Sequence, residues 1–140
     1  MDEYKVKIAV DYLGDLHCKV THGLSGNSFM TDAPVDNKGK GEFISPTDLA
    51  GASIGSCVAT IMGQLADTHN IDIKGMKIIV EKQMVNQPFR RIGKLLLDIT
   101  FPNKLDEHQF KILSNVVKTC PVTRSLSSEV ELEYFFHMPN

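Results

Sequence analysis

SPTDLAGASIGSCVATIMGQLADTHN, residues 45–70, is the stretch whose reading decides the fold. Ser45 stands as an N-cap, Pro46 takes the first helical position, and Asp48 lies three residues after the cap. This approaches a capping box, with Asp in the usual place of Glu or Gln. Ile54, Val58, Ile61 and Leu65 then recur at helical spacing and make an apolar stripe. Gly51, Gly55, Ala59 and Gly63 make a second stripe of the smallest side chains at i, i+4. A glycine inside a helix costs about 1 kcal/mol relative to alanine. Three on one face therefore predict a close approach by another backbone. The reading is a buried, tightly packed helix with Cys57 in its middle.

Outward from this helix, composition bounds the rest. A chain of 140 residues reads as one domain, 1–140, long enough for a core of its own. Its net charge of −2 gives no footprint for nucleic acid or a membrane surface, and no apolar run is read as long enough to span a bilayer. The N-terminus, acidic and then alternating, is unlike a signal peptide, so a cytoplasmic location is expected. Three cysteines are too few for a disulfide framework. In a reducing compartment they are buried small hydrophobes or they are reactive.

Residues 4–12 alternate, with Tyr4, Val6, Ile8, Val10 and Tyr12 on one face, which predicts a half-buried strand. Gly14 and Asp15 turn the chain into a second strand with Leu16, Cys18 and Val20 inward, and a short third strand surrounds Phe29 and Met30. These form an antiparallel meander. A polar loop spans 32–41; its Gly39-Lys40-Gly41 lacks the spacing of a phosphate loop. Beyond the helix, strands are predicted at 76–85 and 92–101. A second helix starts at the Asp106 cap, with Gln109 completing a capping box. It carries Phe110, Leu113, Val116, Val117 and Cys120 inward and stops before Pro121. The last strand covers 129–136. The order β-β-β-α-β-β-α-β is an α+β fold with mostly antiparallel sheet.

Several patterns invite chemistry. Gly51-Ala52-Ser53-Ile54-Gly55 matches the nucleophile elbow of hydrolases, but no strand precedes it and the surroundings are helical, so the match is chance. No histidine or cysteine pair has metal-ligand spacing, so neither a metal nor another cofactor is expected. Cys18 reads as a small core residue. Cys57 and Cys120 lie on core-facing stripes of two helices that share one small domain, so they can meet. Facing thiols oxidise reversibly: one becomes a sulfenic acid and the second condenses with it to a disulfide.

S-P-T-D-L-A-(x)4-G-S-C from Ser45, with Cys120-Pro121-Val122-Thr123-Arg124-Ser125-Leu126 downstream, resembles the OsmC/Ohr family of thiol peroxidases. The same strand-helix order extends the resemblance over essentially the whole chain. It implies a mostly antiparallel sheet wrapping a long central helix, in an intertwined homodimer whose central helices pack together. It also implies reduction of organic hydroperoxides, with Cys57 the peroxidatic and Cys120 the resolving thiol. The hydroperoxide-resistance branch places a glutamate ten residues before the first cysteine, where this chain has Thr47 and then Asp48. That branch also draws an arginine from the N-terminal segment, and none precedes Arg90 here. The chain is closer to the YhfA-like branch.

A peroxidatic cysteine must ionise. In an unbroken helix Cys57 lies about 16 Å from the N-terminus, beyond the reach of the helix dipole. A cation is required. Arg124, four residues past Cys120, is the candidate, with Arg90 and Arg91 as alternatives and Asp48 to orient the guanidinium. The partners expected are a small hydroperoxide, a dithiol reductant and a second copy of the chain. Two other readings use the same framework: a non-catalytic binder of apolar or acyl ligands with inert or redox-sensing thiols, and a thiol-dependent transferase.

Overall fold

A computed structural model describes residues 3–140. The chain divides into two compact units, Met1–Leu49 and Ala50–Asn140.

The first unit is an antiparallel meander of β1 (Ile8–Gly14), β2 (His17–His22) and β3 (Ser28–Asp32). Strand β1 starts later than expected, and its apolar side is not half-buried: Ile8, Val10 and Tyr12 are 61%, 61% and 66% exposed. Leu16, expected inward, sits in the β1–β2 turn at φ +65 and faces solvent. Among the described residues, the buried ones of this unit are Thr31, Asp32 and Ser45, all polar. Asp32 therefore does not open a solvated loop. It ends β3 and accepts the Glu42 N–H at 3.1 Å, while Asp32 N–H donates to the Ile44 carbonyl. Burial alone would raise its carboxyl. Amide hydrogen bonds from Glu42, Ala33 and Lys40, together with nearby His17, instead hold it below the ordinary carboxylate value. His17 Nε2 lies 3.4 Å from Asp32, and its ring meets Phe43 edge-on. The unit ends in the expected cap: Asp48 N–H donates to Ser45 Oγ at 3.0 Å, and Ser45 N–H donates back to Asp48 Oδ2 at 3.1 Å. This is a complete capping box.

Helix α1, Pro46–Thr68, is unbroken. Its buried face is Gly51, Ile54, Gly55, Val58, Met62 and Ala66. Ile61 and Leu65, expected on that face, are only partly buried. The glycines explain the phase, because Gly51 and Gly55 belong to the packed face itself. A Cβ on Gly51 would stand 3.5 Å from Val80 and 3.6 Å from Leu95; one on Gly55 would stand 2.9 Å from Val80 Cγ2. Within the chain, what approaches Gly51 and Gly55 closely is side chains, those of Val80, Leu95 and Ile78. Gly63 has nothing within 4 Å. With a mean hydropathy of 1.4 over its apolar window, α1 does have the length and composition of a membrane span, which corrects the sequence reading. A third of that window is buried, on the face that packs against a sheet.

That sheet has the order β4-β5-β6, from β4 (Lys77–Val85), β5 (Arg91–Thr100) and β6 (Glu131–His137). Strands β4 and β5 are antiparallel, whereas β5 and β6 are parallel, so among the described residues one of the four pairings between these strands departs from the antiparallel rule. Leu95, Leu97 and Ile99 of β5 are fully buried beneath Ile54, Val58 and Met62. A parallel pair needs a crossover. Here it is built of three short helices rather than one: α2 (Glu107–Ser114), α3 (Val116–Thr119) and α4 (Pro121–Ser125). Asp106 and Gln109 form the expected capping box at the start of α2. Pro121 ends one helix and starts the next. It pushes Cys120 into an extended conformation (φ −65, ψ 149), and Cys120 becomes the N-cap of α4 with proline at its first position.

Candidate functional site

Cys57 comes from the middle of α1 and Cys120 from the α3–α4 junction. Both pack against the core of the second unit, and both are free thiols. Cys57 is half-buried; Cys120 is 1% exposed. The two are adjacent: Cys120 acts on Cys57 through a side-chain hydrogen bond and through charge. Burial is the largest influence on Cys57 and pushes its thiol up, Cys120 adds to this, and the Val122 amide N–H, donating to the Cys57 sulfur, opposes it. The net direction is upward. Position in the helix cannot relieve this, because Cys57 lies well past the first turn of α1.

Cys120 Sγ caps α4, accepting the Thr123 N–H at 3.4 Å, with Thr123 Oγ1 at 3.0 Å. The Thr123 hydroxyl donates to the Val117 carbonyl at 3.0 Å, and the Tyr134 hydroxyl donates to the same carbonyl at 3.0 Å. Burial raises the Tyr134 phenol, a hydrogen bond with Thr123 opposes this, and Cys120 charge adds to it. Val122, Thr123 and Tyr134 escaped the sequence reading. Only Thr123 left a local signal, a hydroxyl residue three positions beyond a cysteine that precedes proline.

None of the remaining expected residues is among the groups that shift Cys57. Asp48 sits in the cap of α1, at the end of the first unit. Arg124 is exposed on α4 and is not among the groups that shift Cys57. Arg91 donates to the Ile92 and Glu129 carbonyls at the start of β5. Cys18 is a half-buried free thiol on β2. Ser53, at the centre of the elbow-like pattern, is helical, and its hydroxyl bonds back to the Ala50 carbonyl at 2.6 Å.

Residues 39–135, which hold both thiols and their hydrogen-bond partners, match the family described as OsmC-like protein. The chain belongs to the OsmC/Ohr family. A structure from Psychrobacter arcticus 273-4, provisionally named an osmotic stress induced and detoxification response protein, is similar at 40% identity. That match covers 97% of this chain and 98% of the other, with a TM-score of 0.90. The fold is also that of the Legionella pneumophila organic hydroperoxide resistance protein OsmC (14% identity, TM-score 0.77, covering 98% and 99% of the two chains). Bacillus subtilis OhrB is similar at 17% identity and a TM-score of 0.71, over 95% and 98%. No curated protein matches this chain by sequence.

Proposed function

We propose that this OsmC-family protein is a thiol-dependent peroxidase that reduces organic hydroperoxides. The observation that carries the reading is the adjacency of a half-buried Cys57 and a buried Cys120, each sulfur facing a backbone N–H. The Cys57 thiolate attacks the distal oxygen of ROOH: an S–O bond forms, the O–O bond breaks, and the alkoxide leaves with a proton as the alcohol. Cys120 then attacks the Cys57 sulfenic acid. The S–S bond forms, the S–O bond breaks and water leaves; a dithiol reductant restores both thiols. Cys57 takes the first role because an incoming peroxide reaches it before the buried Cys120.

Asp48 and Arg124 complete the reading as positioning and activating groups. Arg124 is exposed and has no ion pair among the described residues, so its guanidinium can turn toward a developing thiolate. The working form is a homodimer in a reducing, cytoplasmic compartment. The dimer is supported by the first unit, which leaves the Ile8, Val10 and Tyr12 face of β1 uncovered and, among the described residues, fully buries no apolar side chain. A second copy supplies the core that such a unit lacks.

The test is a thiol count after one equivalent of cumene hydroperoxide or hydrogen peroxide. Parent protein loses two thiols. Cys57→Ser abolishes the first reaction; Cys120→Ser gives one turnover and stalls as sulfenic acid. If neither variant loses the initial reaction, the cysteines are structural. The upward shift of Cys57 favours a second reading, a slow redox sensor or apolar-ligand binder. Sustained turnover with a dithiol separates it from the first.

A further inference from the structure

Two hydroxyls beside the thiol pair have no part in the steps above. Thr123 carries a single hydroxyl proton, and that proton goes to the Val117 carbonyl. Its oxygen, 3.0 Å from Cys120 Sγ, is then left to accept the Cys120 S–H. Val117 is buried, and a buried carbonyl needs a donor. It has two, because Tyr134 O–H also reaches it. One of the pair is therefore spare.

We propose that Thr123 is the positioning residue of the second thiol: its hydroxyl turns from the Val117 carbonyl to the Cys120 sulfur as that sulfur loses its proton, while Tyr134 keeps the carbonyl paired. This rests on the two-thiol reading of the site. The Cys120 thiolate attacks the Cys57 sulfur and hydroxide departs, taking up a proton to become water. A hydroxyl that donates to the thiolate favours the ionised form, beside the Thr123 N–H that already points at it. The turn leaves no buried group orphaned, which is the role Tyr134 plays. The titratable groups facing Cys120 are Cys57 from α1 and Tyr134 from β6, and apart from Cys120 itself no charged side chain is among the groups acting on either.

The experiment reads the attack by Cys120 without any peroxide. In a Cys18→Ser background the reduced protein is treated with methyl methanethiosulfonate, a small reagent that caps Cys57 as a methyl disulfide, located by peptide mass. Attack by Cys120 then releases methanethiol and leaves the Cys57–Cys120 disulfide, followed by quench and mass spectrometry across pH. Thr123→Val is expected to slow closure at neutral pH on the order of tenfold or more, the loss of a hydrogen bond to a charged group. The midpoint of its pH profile is expected to move upward, with capping of Cys57 unchanged. Thr123→Ser restores both the rate and the midpoint. Thr123→Val closing at the parent rate, Thr123→Ser as slow as Thr123→Val, or Tyr134→Phe indistinguishable from the parent overturns the proposal. Because no hydroperoxide takes part, failure here strikes the role of Thr123, whereas failure with cumene hydroperoxide strikes the peroxidase reading.

Discussion

Alanine at Gly51 and at Gly55 should act in opposite directions, although both glycines lie on the buried face of one helix. Replacing an interior helical glycine by alanine contributes about 1 kcal/mol through backbone propensity. At Gly51 the new Cβ would stand 3.5 Å from Val80 and 3.6 Å from Leu95, ordinary contact, so the gain is kept. At Gly55 it would stand 2.9 Å from Val80 Cγ2, with Ile78 at 3.8 Å. Valine is short and stiff at χ1, so helix or strand must move, at a typical overpacking cost of about 1–3 kcal/mol. Gly51→Ala is therefore expected to stabilise by about 1 kcal/mol, and Gly55→Ala to destabilise by up to about 2 kcal/mol. Urea unfolding at fixed protomer concentration measures both, with unchanged slope expected. Val80→Ala opens the space, so Gly55→Ala combined with Val80→Ala should lose less than the sum of the single changes. Gly55→Ala as stable as Gly51→Ala, or additivity with Val80→Ala, would refute the close approach.

Asp32→Asn should destabilise the first unit at neutral pH by weakening the acceptor for the Glu42, Ala33 and Lys40 amides. Because the native carboxyl lies below its unfolded value, its contribution is present above the ordinary carboxylate range and lost as pH falls through the native value. The stability gap between parent and variant should close in acid, and a gap that stays constant would rule out the carboxylate as its source. Cys57, shifted upward, should alkylate with iodoacetamide along a pH profile displaced above that of a free thiol. Cys120→Ser removes a thiol neighbour that adds to the upward shift and should move that profile back down; no displacement in the parent would count against the burial argument. Asp106→Ala removes the acceptor of the Gln109 N–H at 2.8 Å and should cost about 1 kcal/mol, or about 4 °C in Tm.

The sequence signals that held were those written in local chemistry. Ser45 with Asp48, and Asp106 with Gln109, announce helix starts because side chain and backbone within four residues satisfy each other. The alternation of Leu95, Leu97 and Ile99 marks one buried side of β5. The helical stripe held at Ile54 and Val58 and then ran one residue out of phase, at Ile61 and Leu65 in place of Met62 and Ala66; Gly51 and Gly55, which add nothing to an apolar count, hold the closest contacts on the same face. The parallel β5–β6 pairing follows from a crossover, which strand periodicity does not encode. At the site, Cys57 and Cys120 were legible as cysteines on two core-facing stripes. The Val122 amide and the Tyr134 hydroxyl were not, since only the folding of α4 and β6 around the sulfurs brings them there.

The two adjacent thiols are far apart along the chain, and that separation ties folding to oxidation. Linking positions 57 and 120 would close a loop of about sixty residues, and such a loop removes unfolded-chain entropy worth about 4 kcal/mol in the chain-entropy account. Linkage runs both ways: whatever the cross-link adds to the fold, the fold adds to the cross-link. Ordering of α1 against the crossover thus makes the disulfide harder to reduce than the same pair in a floppy chain. Local loosening of the α3–α4 junction would ease its reduction. The ease with which a reductant resets the pair is in this sense a property of the whole second unit, not of two sulfur atoms.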